Sequence, residues 1–163
     1  MRKTKAKAVQ HQNEIRDLIR IVLCPPFEHG DIESRPMGNS GSDIILSPKA
    51  KEVIDFEIEC KRHEDSTWKN SYKKSFEQTF KHENGILIRR KNRQKNHFYC
   101  KTNHITKIDS FFFKNEKEIM MHSSLKSFAT CNDYCLSIFE EYVHFNEKKF
   151  IGLLKCLTTS YFR

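Results

Sequence analysis

The sequence predicts a mixed α/β chain (α+β) in the order helix, strand, strand, helix, strand, strand. Three observations carry that prediction. Near the N-terminus, Ile15, Leu18, Ile19 and Val22 recur at helical spacing. The stretch "DFEIECK" (55–61) alternates charged and apolar residues, as a half-buried strand does. Trp68, Tyr72, Phe76 and Phe80 then step by four, the period of an amphipathic helix.

Taken in order, residues 1–7 read as a flexible basic arm, and a helix over about 8–22 is stopped by Cys24-Pro25-Pro26. Residues 25–42, "PPFEHGDIESRPMGNSGS", are rich in turn formers and read as a long loop. Loops of that length inside a compact domain are often functional. "DIIL" (43–46) is a short apolar strand ended by Ser47-Pro48, and 53–61 is the strongest strand in the chain. After the aromatic helix, whose stripe reads as core, "GILIRR" (85–90) and "HFYCK" (97–101) form a hairpin across the polar turn "KNRQKN". The order then weakens. "IDSFFFKNEKEIMMH" is ambiguous, whereas Cys135, Ile138, Phe139, Tyr142 and Val143 suggest an amphipathic helix over about 133–145, with "FIGLLKCL" continuing or following it. The expected organisation is thus an arm (1–7), a core (8–101) and a mostly helical C-terminal extension (102–163).

Length and composition narrow the classes. A chain of 163 residues, 37% hydrophobic and 31% charged, suits one soluble globular domain, and no apolar run is long enough for a membrane span. The basic start lacks an apolar segment or cleavage site of the secretory kind. The expectation is an intracellular protein with cysteines 24, 60, 100, 131, 135 and 156 reduced. The net charge of +8 is concentrated: residues 81–101 hold seven Lys/Arg against one Glu, and the first seven residues add four more. Such clusters are the usual footprint of a phosphate-backbone partner, through counterion release, although a solubilising loop has the same composition. Membrane-surface binding would need an amphipathic basic helix, and these charges do not lie on one. The sequence has no nucleotide-binding glycine loop. Cys131-x₃-Cys135, with His122 and His144 in range, lacks paired zinc knuckles and reads as core.

The residues that carry chemistry cluster around the strand 53–61. Phosphodiester hydrolysis needs an activated water and neutralised phosphate oxygens. Mg²⁺ supplies both from hard carboxylate ligands while keeping several waters. Asp43 opens one strand and Glu59 lies near the end of the next, so pairing of those strands would let both carboxylates meet one ion. The Cys60 carbonyl could supply a third ligand. Lys61 points to the same face as Glu59, where its ammonium could orient or help deprotonate the attacking water. Glu14, at the edge of the first helix's apolar stripe, could be aimed at the same cluster, or could be an ordinary exposed helix residue. Glu57 and Asp55 share the face of Glu59 and are either further ligands or solvated positions, since same-face neighbours lie about 7 Å apart. Arg35, Ser40 and Ser42 either shape the turn before Asp43 or contact phosphate. Arg89, Arg90, Lys91, Arg93 and Lys95 are the candidates for holding nucleic acid.

The segments "SRPMGNSGSDIILSP" (34–48), "FEIECK" (56–61), "W" (68), "EQT" (77–79) and "ILIRRKNR" (86–93) together resemble the PD-(D/E)xK nuclease superfamily, most nearly small phage endonucleases related to Holliday-junction resolvases. The resemblance spans about 8–101, and Ser42 stands where the superfamily's name has Pro. It implies a restriction-endonuclease-like core with a mixed central sheet, and a catalytic set of Asp43, Glu59 and Lys61 with Glu14 as the helix-one carboxylate and Gln78 as the helix glutamine. It further implies Mg²⁺, with Mn²⁺ able to substitute, duplex or branched DNA as partner, a homodimer, no membrane, and a cytoplasmic location, in the host if of phage origin. Two other readings stand beside it. One is a non-catalytic basic nucleic-acid-binding module, and the other is an assembly protein working through its C-terminal region.

Overall fold

The computed structural model describes residues 2–63, 72–101, 137–139 and 142–161. It is a mixed α/β fold with one five-stranded mixed sheet, one two-stranded hairpin, and helices packed on them.

Helix α1 (Arg2–Leu23) opens the chain. The basic start continues the helix rather than forming an arm, because Lys and Ala are good helix formers and no breaker precedes Cys24-Pro25. Ile15, Ile19 and Leu23 of its apolar stripe are buried. The expected loop 25–42 holds a 3₁₀ turn (His29–Asp31) and a short strand β1 (Ile32–Ser34). Strand β1 pairs antiparallel with β2 (Ile44–Leu46), joining Ile32 to Leu46 and Ser34 to Ile44. The expected ladder between the "DIIL" strand and its successor is replaced by a hairpin with β1, and Asp43, just before β2, bonds to Ile58 of the next strand instead. Helix α2 (Pro48–Val53) follows, capped by Ser47, whose hydroxyl accepts from the Ala50 amide at 3.2 Å. Val53 thus closes a helix, and the strand β3 starts later than its sequence suggests, at Glu57–His63.

The main sheet has the order β3-β4-β5-β7-β6, with β4 Gly85–Lys91, β5 Asn96–Lys101, β6 Ser137–Phe139 and β7 Tyr142–Phe145. Strands β3 and β4 are parallel, with Glu59 beside Leu87 and Lys61 beside Arg89; the remaining pairs are antiparallel. Helix α3 (Tyr72–Thr79) makes the β3–β4 crossover. Trp68 lies outside the described residues, but Phe76 and Phe80 are core, packed with Leu87 and Tyr99. Gly85 is required where β4 leaves this helix, since a Cβ there would lie 2.5 Å from the Thr79 carbonyl oxygen.

Helix was expected over about 133–145, and the described part of that segment is sheet. Tyr142-Val143-His144-Phe145 is aromatic and β-branched, and such residues suit a pleated surface better than a helix. In the described part of the extension, β7 adds to the edge of β5 at Tyr99–His144, so the sheet continues past residue 101. Helix α4 (Glu147–Tyr161) then returns over the same face as α1. Its Phe150 stacks on Phe98 at 4.7 Å between centroids, and Leu153 and Leu154 complete the larger core. No described helix is long and apolar enough to cross a membrane. Cys131, Cys135 and His122 lie outside the described residues.

Candidate active site

Asp43 stands just before β2, at the end of a loop that folds back on itself. The Arg35 amide donates to the Asp43 carbonyl at 2.8 Å, and Arg35 Nε donates to the Ser42 carbonyl at 2.7 Å. Gly41 suits this turn twice over. Its φ of +109° is costly for other residues, and a Cβ would come within 3.0 Å of the Arg35 guanidinium. Arg35 therefore shapes the loop that presents Asp43, and Ser42 donates its hydroxyl to the Ile58 carbonyl at 3.3 Å. Ser40 is exposed in the same loop.

Strand β3 lies at the edge of the main sheet, and Asp43 docks against it by two bonds. Its amide donates to the Ile58 carbonyl at 2.9 Å, and its Oδ2 accepts from the Cys60 amide at 2.7 Å. The expected convergence of Asp43 and Glu59 thus comes from a loop carboxylate seated on the strand edge. Glu59 and Lys61, two residues apart on one face, form an ion pair. Burial, and then the nearby Glu59 charge, push the Asp43 carboxyl up to about 6, against the pull of the Cys60 amide, Lys61 and Arg35. Cys60 divides as expected of a strand residue: its side chain packs against the main core on the opposite face, where burial holds the thiol well above its usual range.

A residue that the sequence reading missed completes the geometry. Gln12 of α1 is 4% exposed, and its Nε2 donates to the Asp43 carbonyl at 2.6 Å and to the Arg35 carbonyl at 3.1 Å, with Asp43 Oδ1 at 3.5 Å. Its signal was present: Gln12 stands three residues before Ile15 and seven before Ile19, a polar residue on a buried stripe.

Other expected members lie elsewhere. Glu14 is tied to Arg90 by an ion pair and accepts from Gln10 at 2.9 Å. Gln78 is exposed on α3. Glu57 faces Lys51 at 3.5 Å, and Asp55 accepts from Asn84 at 3.2 Å, so both have partners outside the pair. Of the basic cluster, Arg93 and Lys95 are exposed on the β4–β5 turn and Lys91 is half-buried. Arg89 is fully buried, which corrects its expected place as a surface phosphate contact: it lies on a central strand, on the same face as Leu87 and Lys61. That face also holds His97, whose Nδ1 lies 3.0 Å from His144 Nε2, and His63. Burial, with the charges of Arg89 and Lys61, pushes His63 down to about 4.

Among the described residues, no three His, Cys, Asp or Glu side chains converge as a metal cage. The donor set that does converge is two carboxylates, one of them disfavoured as an anion by its neighbour. That set fits a hard divalent cation bound through one or two carboxylates with water completing its shell. No family model, curated protein or solved structure matches this chain.

Proposed function

We propose that the protein is a Mg²⁺-dependent endonuclease that hydrolyses phosphodiester bonds in duplex or branched DNA, with a restriction-endonuclease-like core of the PD-(D/E)xK kind. One observation carries the reading: the fold seats the Asp43 carboxylate on the β3 edge beside Glu59 and Lys61 and buries it there against its own electrostatic preference. The strand order and the parallel β3–β4 pair joined by α3 support the fold part of the proposal.

Asp43 and Glu59, with the Cys60 carbonyl, would hold the ion. Bound there, Mg²⁺ (or Mn²⁺) supplies charge neutralisation at phosphate oxygens and a more acidic water. The chain's own groups do the rest. Gln12 and the Cys60 amide fix Asp43 in place, so little reorganisation is needed when charge develops. Lys61 Nζ, an ammonium paired with Glu59, donates to and orients the attacking water or a phosphate oxygen, and the proton that the water releases passes to solvent. The water oxygen bonds to phosphorus, one bridging P–O bond breaks, and the departing oxygen takes up a proton. A symmetric four-way junction would call for two such sites and hence a homodimer.

Plasmid, forked and four-way DNA incubated with Mg²⁺ test this reading. Cleavage by the wild type and its loss in Glu59→Ala and Lys61→Ala are expected. No cleavage of any substrate, or unimpaired cleavage by Glu59→Ala, overturns it. The non-catalytic reading draws support from the Lys61–Glu59 ion pair, which already neutralises one of the two carboxylates. Calorimetric titration separates the two, since only the nuclease requires a divalent site that disappears in Asp43→Asn.

A further inference from the structure

The two basic blocks of the sequence, 1–7 and 81–101, are far apart in the chain and lie at the same end of the fold, each bonded to the end of β3. Helix α1 runs with its first turns over the end of the sheet where β3 finishes and β5 begins. Arg62 Nη1 donates to the Lys7 carbonyl at 3.4 Å, and His11 Nε2 lies 3.0 Å from Asn96 Oδ1. The β4–β5 turn closes at the same end, where the Asn92 amide donates to the His63 carbonyl at 3.2 Å. Lys5, Arg93 and Lys95 are exposed there, and Arg93 sits in the left-handed region with φ 61°. Among the described residues, two acidic groups at this end are engaged inward: Glu14 with Arg90, and Glu147 with Asn96 at 2.8 Å. Arg89 and Arg90, one buried and the other ion-paired, do not contribute to this surface.

Resting on the DNA-cleaving reading above, we propose that the first turns of α1 and the β4–β5 turn form one surface that binds the phosphate backbone of duplex DNA. Gln12, which holds Asp43, follows Lys5 by seven residues, so the surface begins about 10 Å from the site along the helix. Duplex DNA carries one charge per about 1.7 Å of axis, so that span presents about six phosphate charges to be met. The surface sets how the duplex lies across the β3 edge, and the hairpin residues act with the N-terminal helix.

Binding of a plain duplex, measured in EDTA over a salt series, tests the surface without cleavage. Each lost phosphate contact lowers the slope of log K against log salt by about 0.9. Lys5→Gln should lower it by about that much, and Arg93→Gln with Lys95→Gln by about twice as much, all with wild-type melting temperatures. A slope unchanged by Lys5→Gln while the turn variant lowers it overturns the shared surface, as does tenfold tighter binding of single-stranded RNA. The two proposals fail separately. Salt-sensitive binding that weakens in all three positions without any Mg²⁺-dependent cleavage keeps the surface and removes the nuclease. Cleavage with unchanged slopes does the reverse.

Discussion

Two carboxylates near α1 have opposite surroundings. Glu14 lies on the helix itself, ion-paired to Arg90 and bonded to Gln10, in a network that His11, Asn96 and Glu147 extend to α4. Among the described residues, the Asp43 carboxylate receives neutral donors, the Gln12 amide and the Cys60 N–H, and has Glu59 as a charged neighbour ahead of Lys61 and Arg35 in effect. The first arrangement is complete and reads as structural. The second leaves negative charge uncompensated, which a cation would relieve. Position on the first helix is therefore a poor guide to role; the partners of each carboxylate decide it.

The sharpest way to break this contrast is cleavage by paired variants. Asp43→Asn should lower the rate of DNA hydrolysis by about 10³-fold or more, the scale of losing a central electrostatic group, whereas Glu14→Gln should cost less than about tenfold. Equal losses would place Glu14 in the site and erase the distinction. Next is stability: Arg90→Met should lower unfolding free energy in urea by about 1–2 kcal/mol, because it removes the charged partner of Glu14, whose side chain is 39% exposed.

The pH dependence sharpens the comparison from the other side. The folded Asp43 carboxyl titrates near 6, above its ordinary 3.8, so between about pH 4 and 6 the folded state holds more protons than the unfolded state. Metal-free stability should therefore fall as pH rises through that window, by about 3 kcal/mol, and Asp43→Asn should remove that fall. Mg²⁺ affinity should rise over the same window, since the ion needs the deprotonated group. A flat metal-free profile in the wild type would remove the electrostatic case for the site. The smallest effect expected is at Gln12. Gln12→Leu should slow cleavage about tenfold through misplacement of Asp43, with kcat falling more than KM rises, and a KM-only change would mean that Gln12 serves the loop alone.

Strand β3 was legible because its pattern is local: Glu59 and Lys61 share a face by alternation alone. Asp43 was placed with them for the wrong geometric reason, a strand ladder, when the contact is a loop carboxylate bonded to the Cys60 amide. Ile138, Phe139, Tyr142 and Val143 fit a helical spacing, and their β-branched and aromatic character is the local hint of strand. Only the open edge of β5, a partner remote in sequence, decides for strand. Arg89 was misplaced because a run of basic residues does not reveal which member faces inward on a central strand. Gln12 escaped because an amide gives no chemical signal of its own until the peptide groups it satisfies are known.

The docking of Asp43 on β3 has one more consequence. An outermost strand presents unpaired peptide groups on which another chain can template, and proteins suppress that hazard by covering or charging the edge. Here Ser42 and Asp43 cover it at Ile58 and Cys60, and the carboxylate stands in for the carbonyl that a neighbouring strand would have offered. The same side chain that the proposal gives to the metal thus also covers the open edge of β3. A chain that shed Asp43 for a small apolar residue would expose a sticky edge along with losing its site, so aggregation would act against drift at this position even where cleavage was no longer needed.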